Sequence, residues 1–384
     1  MTLSFIFDID NKMMKLNNNI RNYVLCMLFI YMIIASIIAI NYIVLYQTGE
    51  LNDLATIVSQ QQKNEGLYNG LSRGLAAYKY EGYKHRRPEI VAIGTSRAMQ
   101  IRDYFFTRSF YNLGGLVHGQ TQAFALMDHI LLKKPPKTIF FAVDFWTFCT
   151  HKSEYPPFKR PTGTYHDGLG TPNKALLLLR LFAQDSLSSN DLGLIFKHLF
   201  NPPPRSLNRV GISTLFIDDG FGADGSLFSL KSTNTVSEPP NAKYRSKIQI
   251  EALKQGIGRY PTGCKVSDEN MFLISQLGAE LANQGTNLIL IAPPISLALY
   301  QAIQHKPEVN TYMTNWRQKL KASWPQTYDF TDPRSIGASD CEFYDGIHGG
   351  EVAYARIFRA LAKAGNDQLT QLVDVKKLTQ IINT

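Results

Sequence analysis

Residues 89–101 read EIVAIGTSRAMQI. The run EIVAIG is short, apolar, β-branched and closed by glycine, which predicts a buried strand of a parallel sheet. Gly94-Thr95-Ser96-Arg97 reads as a turn, with a helix-like segment from Arg97. The same pattern returns downstream. FYNLGGLVHGQTQAFALMDHILLKK (110–134) opens with a glycine-rich turn and continues with Phe124, Met127, Ile130 and Leu131 at helical spacing. KTIFFAVDFW (137–146), after KKPP, is the next strong strand. Strand, turn, helix, proline-marked turn and strand make a βαβ progression, so the expected fold class is α/β with a parallel sheet.

Working outward, regularity drops between about His151 and Pro261, where YPPFKRPTG, NPPPRS, DDGFGADGS and SEPP punctuate the chain. Residues 151–261 read as an insertion over one rim of the sheet. The α/β rhythm then resumes with a helix over Glu269–Gln284, the strand NLILIAPP (287–294), a last short strand in TYDFTDP (327–333) and a closing helix in GEVAYARIFRALAKA (350–364). On this reading residues 86–366 are one domain, 47–85 a polar linker or short helix, and 367–384 a tail.

At 384 residues the chain can bury a large core, and 45% apolar with 18% charged residues excludes a wholly disordered chain. No repeat period stands out. The net charge of +9 is spread along the chain without a dense basic helix, which argues against nucleic acid and suits anionic lipid or acidic glycan equally well.

Tyr23 to Tyr46, YVLCMLFIYMIIASIIAINYIVLY, contains no charged residue and is long enough to cross a hydrocarbon core of about 30 Å as a helix. Tyr23, Tyr42 and Tyr46 sit near its ends, where aromatic side chains favour the interface. A secretory signal has a shorter apolar core of about 7 to 15 residues and a small-residue cleavage site, so 23–46 reads as an anchor. Lys12, Lys15 and Arg21 before it, and Glu50 and Asp53 after it, place residues 1–22 in the cytoplasm and the remainder outside. Of the four cysteines, Cys26 lies in this segment. Cys149, Cys264 and Cys341 allow one disulfide whose pairing the sequence does not assign, and their spacing is not that of a zinc site.

Ser96 follows a strand end, where open α/β sheets place ligands, and has two readings: a helix N-cap or a nucleophile. Asp345 and His348, in FYDGIHG just before the last helix, are close enough for one turn to lay the carboxylate on the imidazole. Taken singly, Asp345 could cap that helix and His348 could be a surface histidine. Taken together the three residues supply what a hydroxyl nucleophile needs, a base and a carboxylate that fixes the base's tautomer. Phe145 and Trp146 read as either core or a sugar-stacking wall. Arg97 reads as either a guide for an anionic substrate or a surface ion-pair partner. His118 could line the site or be solvated, and the His166–Asp167 pair carries no assignment.

GTSR after the first strand, NLGG after the next short run, a strand ending in Asp144 and the terminal Asp-x-x-His resemble the SGNH (GDSL-like) hydrolase superfamily over roughly residues 88–365 apart from the insertion. DFTDP followed by FYDGIHG resembles in particular the membrane-anchored bacterial branch that includes the DltD and alginate O-acetylation proteins. The resemblance implies a three-layer flavodoxin-like parallel sheet, Ser96 as nucleophile, and Asp345 and His348 as charge partner and base. It implies an oxyanion hole built from the Ser96 NH and one of Gly114, Gly115 and Gly119, with Asn112 bracing the turn. It also departs from the family. The third block usually supplies an Asn donor, whereas Asp144 is acceptor-only and would repel an oxyanion, so its role stays open: orienting a neighbour, contacting a sugar hydroxyl, or satisfying backbone.

The function so implied is a serine acyltransferase or esterase of the bacterial inner membrane, single-pass, with its N-terminus cytoplasmic and its catalytic domain periplasmic or otherwise extracytoplasmic. It would act on O-acyl, chiefly O-acetyl, groups of a cell-envelope polysaccharide without a cofactor or metal. By family, the partner implied is a multispanning membrane O-acyltransferase. The alternatives are a carbohydrate acetylesterase of the same fold and an inactive glycan-binding or assembly protein.

Overall fold

The structure, a computed structural model of the chain, describes residues 3–64, 66–70, 75–126, 135–150, 176–184, 187–200, 209–215, 219–229, 242–260, 262–364 and 367–384. Met127, Ile130, Leu131 and the His166–Asp167 pair lie outside them. In chain order the elements are α1 (Leu3–Gln47), α2 (Leu54–Asn64), β1 (Leu67–Tyr68), α3 (Leu75–Arg86), β2 (Ile90–Gly94), β3 (Phe110–Asn112), α4 (Gln120–Leu126) and β4 (Thr138–Ala142). Then come α5 (Leu177–Ala183), α6 (Ser189–Phe200), β5 (Arg209–Val210), β6 (Asp219–Phe221), β7 (Leu227–Ser229), α7 (Ala242–Gln255), α8 (Asp268–Asn283) and β8 (Asn287–Ala292). The chain ends with α9 (Leu297–Gln304), α10 (Pro307–Ser323), β9 (Thr327–Asp329), α11 (Glu351–Lys363), α12 (Asp367–Leu372) and α13 (Val375–Asn383).

The chain divides into two compact units, Met1–Asp53 with Asp167–Arg205, and Leu54–His166 with Ser206–Thr384. The second holds a parallel five-stranded sheet in the order β3-β2-β4-β8-β9. Every residue of β2 and β4 is buried, which is why neither strand alternates polarity in the sequence. Successive side chains feed opposite faces. Val91, Ile93, Phe141 and Leu290 join Ile274, Leu277 and Trp316 in one core. Ile90, Ala92, Phe140 and Ile289 join Ala355, Phe358 and Leu361 in the other. Phe140 alone packs its ring 5.0 Å from Phe358 and 5.5 Å from Phe106, and its truncation to Ala would cost about 3–5 kcal/mol.

From β2 the chain crosses to β3 on one side, and from β3 to β4 on the other, so the strand order reverses at the carboxyl ends of β2 and β4. Open α/β sheets bind ligands at such a point. Gly94 closes β2 there with φ of 142°, and a Cβ at that position would lie 2.7 Å from the Ala142 carbonyl of β4. Glycine is what lets the two strand ends lie so close.

Four sequence expectations change. The helix expected from Arg97 is a 3₁₀ turn, Ser96–Gln100, stopped because Asn112 Nδ2 takes the Ala98 and Ile101 carbonyls at 2.9 and 2.8 Å. Residues 47–85, read as a polar linker or short helix, contribute α2, β1 and most of α3 among the described residues: β1 joins a small sheet of order β5-β1-β6-β7, and Leu54, Ile57, Val58, Tyr68, Ala77 and Tyr78 form a third core. Their polar appearance came from buried polar residues with partners, such as Gln61, whose Nε2 donates to the Gly66 and Phe221 carbonyls. The insertion expected at 151–261 is not one body, since α5 and α6 belong to the first unit and β5 to α7 to the second. The expected tail, 367–384, docks, with Leu369 and Leu378 buried beside α11 and Asp374 N bonded to Phe105 O at 2.9 Å.

Candidate active site

Ser96 projects from the turn after β2 and is exposed, while Arg97, Ala98, Met99 and Gln100 are buried. Thr95 is the N-cap of the turn, accepting from Arg97 N, so capping does not account for Ser96. Ser96 Oγ lies 2.8 Å from His348 Nε2, and His348 Nδ1 lies 2.8 Å from Asp345 Oδ2. Residues separated by 252 positions in sequence thus form one relay.

The direction of that relay follows from the chemistry of its end. Burial raises the Asp345 carboxyl, but the hydrogen bond and charge of His348 and the NH groups of Ile347 and His348 outweigh it and hold the group down at about 2. An ionised carboxylate only accepts, so Nδ1 carries a proton, and in the neutral imidazole Nε2 is then the acceptor for the Ser96 hydroxyl. Asp345 Oδ1 takes the Ile347 and His348 NH groups at 2.8 and 2.7 Å, which shapes the loop around the imidazole. The cap of α11 is Gly350, not Asp345. Further bonds fix the loop: Tyr344 N to His348 O, 2.8 Å, and Ser296 N to Gly346 O, 2.9 Å.

Arg97 is 2% exposed, so it is neither a substrate guide nor a surface ion-pair partner. Its Nη1 donates to Asp144 Oδ1 at 2.7 Å, Nε to Ile347 O at 2.8 Å, and Nη2 to Pro293 O and Pro294 O at 2.9 and 2.6 Å. One guanidinium therefore ties the serine turn to the ends of β4 and β8 and to the residue before His348. Asp144, fully buried, spends its other oxygen on the Thr95 hydroxyl at 2.6 Å. Of the roles left open for Asp144, orienting its neighbours is the one this geometry fits. Both members of the pair sit at ends of buried strands with opposite charge, a signal the sequence contained.

The glycine block also sorts out. Gly114 N is bonded to Asn112 Oδ1 at 2.7 Å, and Gly115 N to the Gly94 and Thr95 carbonyls at 2.8 and 3.0 Å, so neither NH is available to an oxyanion. Both are instead places of close approach. A Cβ on Gly114 would sit 2.9 Å from Ala98, and one on Gly115 would collide with Met99. Among the described residues, Ser96 N and Gly119 N make no hydrogen bond and remain the candidate donors. The five-residue 3₁₀ turn supplies little of the helix dipole that a full helix would.

Asn112, fully buried, grips the serine turn through Nδ2 and the glycine loop through Oδ1. The sequence missed Lys79. It is buried with Nζ bonded to Gly114 O at 2.6 Å and 5.0 Å from the Phe221 ring, and burial lowers its amine to about 7 against a raising influence from Asp224. His118 is exposed. Trp146 is buried, with the Arg97 and Arg259 guanidinium groups 5.4 and 5.1 Å from its ring. With Phe145, Tyr260, Tyr312 and the Cys149–Cys264 disulfide it also lines a cavity of about 370 Å³. Cys341 is a free, half-buried thiol.

Comparison of the chain with protein-family models, curated proteins and solved structures gave no match.

Proposed function

We propose that the chain is a membrane-anchored serine acyltransferase or esterase of SGNH type that works through an acyl-serine intermediate. The observation that carries the proposal is the Ser96–His348–Asp345 relay, two 2.8 Å contacts at the point where the strand order reverses. The strand order, with a core on each face of the parallel sheet, fits a three-layer flavodoxin-like arrangement and so supports the same reading.

In the first half-reaction Ser96 Oγ attacks the acyl carbonyl as His348 Nε2 takes its proton, and Asp345 stabilises the imidazolium. The oxyanion develops against the Ser96 NH, with Gly119 N as the second candidate. Collapse breaks the bond to the leaving alcohol, which receives the proton from His348. An acceptor hydroxyl then loses its proton to Nε2 and attacks the acyl-serine, and as the acyl–Oγ bond breaks His348 returns that proton to Ser96 Oγ. Water as acceptor makes the enzyme an esterase; a glycan hydroxyl makes it a transferase. The preferred acceptor is an envelope polysaccharide and the preferred acyl group acetyl. A multispanning acyltransferase would be the donor's source.

For anchoring, the support is α1. Its segment Asn18–Gln47 is long and apolar enough to cross a membrane, by length and composition. Asn41, Val44 and Leu45 near its end are buried, and Asn41 Oδ1 accepts from Leu178 N of the same unit at 3.2 Å. Cleavage of a signal sequence would strip those contacts.

The test is labelling of the full chain by a serine-directed fluorophosphonate, then acetyl transfer from an activated ester to a candidate glycan. Ser96→Ala loses the label, and acetylated glycan forms only with Ser96 present. Undiminished labelling of Ser96→Ala would sink the assignment, and hydrolysis without transfer would leave the esterase.

A further inference from the structure

α5 and α6 expose large apolar side chains. Leu179 and Phe182 on α5 are 50% and 41% exposed, and Phe196 and Phe200 on α6 are 43% and 81% exposed. Phe200 is more exposed than Tyr46, at 75% the most exposed of the apolar side chains described on α1. Ser188 Oγ accepts from Asp191 N at 3.2 Å while Asp191 Oδ2 accepts from Ser188 N at 2.7 Å, a reciprocal cap at the start of α6. Each helix also has a buried side: Leu177 and Leu178 on α5, Ile195 on α6.

What covers the exposed side is set by where α5 begins. Leu178 N, one of the NH groups that a helix start leaves without an intrahelical partner, donates to Asn41 Oδ1. Asn41 lies inside the apolar stretch of α1, where an amide away from water needs such a partner. α6 packs on α1 as well. On α1 at the same level, Ile40, Ile43 and Tyr46 point outward and are exposed while Asn41, Val44 and Leu45 are buried. Whatever medium surrounds Ile40 and Ile43 therefore also meets the outer side of α5. Arg180 and Lys197 are the exposed cations of the two helices, suited to head-group phosphates beside an apolar surface.

We infer that α5 and α6 are embedded in the interface of the bilayer that α1 spans, in the leaflet from which α1 emerges towards Gln47. Lipid, rather than a second protein, occupies the face carrying Leu179, Phe182, Phe196 and Phe200. The inference rests on α1 being a retained anchor. It makes α5 and α6 part of the membrane unit.

The experiment uses the full chain in liposomes, with Cys26→Ser and Cys341→Ser removing the free thiols. Single cysteines at Leu179, Phe196 and Phe200 carry an environment-sensitive fluorophore. Tyr31→Cys reports on the anchor and Lys319→Cys on water. Nitroxide-bearing lipids should abolish most of the fluorescence at positions 31, 179, 196 and 200, and aqueous iodide should quench position 319 alone. Quenching of 179, 196 and 200 by iodide, with 31 still reached by lipid, overturns the inference and leaves the anchor. Shielding of these positions from both quenchers means a protein covers the face, and also overturns it. Failure of position 31 to sense lipid removes the anchor reading on which both rest.

Discussion

Replacing Asp144 discriminates between two roles for the residue that departs from the SGNH pattern. If Asp144 stood in for the missing oxyanion donor, Asp144→Asn would restore an amide and speed acyl transfer. The geometry predicts the opposite. Asp144 and Arg97 are 0% and 2% exposed and meet at 2.7 Å, and Asp144 also accepts from Thr95 at 2.6 Å. Removing one partner of a buried ion pair costs about 3–5 kcal/mol, because the remaining charge is left without compensation. Asp144→Ala should therefore destabilise by about 4 kcal/mol and lower Tm by roughly 10 °C for a unit of this size. Asp144→Asn keeps a neutral acceptor for Nη1 but gives up the charge, and should lose about 1.5–3 kcal/mol. Arg97→Met removes in addition the donors to Ile347, Pro293 and Pro294, so it should displace the His348 loop and reduce kcat beyond what stability explains. A double-mutant cycle measured by thermal unfolding of the detergent-solubilised full chain should give a coupling of about 2–3 kcal/mol. Additive effects, or a faster Asp144→Asn enzyme, would refute the pairing as the reason for Asp144.

Asp345 is held at about 2 against 3.8 unperturbed, so its contribution of at most about 2 kcal/mol is present above pH 4 and lost as pH falls towards 2. Asp345→Asn should flatten that acid limb in pH-dependent urea unfolding and, by leaving His348 in the wrong tautomer, lower kcat by about 10³–10⁴. Lys79 has the reverse problem, since burial lowers its amine from 10.5 to about 7. Between those values the unfolded chain holds a proton that the folded chain has released, so stability rises with pH across the window and is lost as pH falls to 7. Lys79→Met should abolish that rise between pH 7 and 10 while slowing acyl transfer through loss of the bond to Gly114 O; an unchanged slope would exclude the buried amine as its source. Reducing the Cys149–Cys264 bridge, which closes a 115-residue separation, should lower stability by about 2–4 kcal/mol by urea unfolding.

The sheet was legible because its strands are buried on both faces and read as unbroken apolar runs; β2, β4 and β8 all fall where EIVAIG, KTIFFA and NLILIA predict. α8 and α11 were legible by their apolar periodicity. What failed were segments whose order comes from tertiary partners. The turn after Ser96 looks helical locally, yet Asn112, on a different strand, takes the carbonyls that would have continued it. Residues 47–85 look like a linker because Gln61 and Lys79 are polar, and nothing local reveals that Phe221 O and Gly114 O await them. For the site, residue type and spacing brought out Ser96, Asp345 and His348. They could not show that the Gly114 and Gly115 NH groups are spent internally, because that depends on where β2 ends relative to the loop.

These misses share a physical cause. The nucleophile turn is only five residues long and makes few bonds of its own, so its position is set by three buried side chains: its own Arg97, which ties it to the strand ends, Asn112, which holds its carbonyls, and Lys79, which acts through the loop Asn112 also holds. All three are polar and buried, and each destabilises the fold unless its partner is in place. Such an arrangement contributes less to stability than a well-packed apolar one of the same size, and its effect is to leave the turn few alternative positions. A serine whose base arrives from 252 residues away requires that restriction, since a displacement of about 1 Å between Oγ and Nε2 can cost some 10²-fold in rate. The buried charges around Ser96 are best understood as positioning devices, and the segment that carries Lys79, which precedes the first strand of the main sheet, is thereby part of the site.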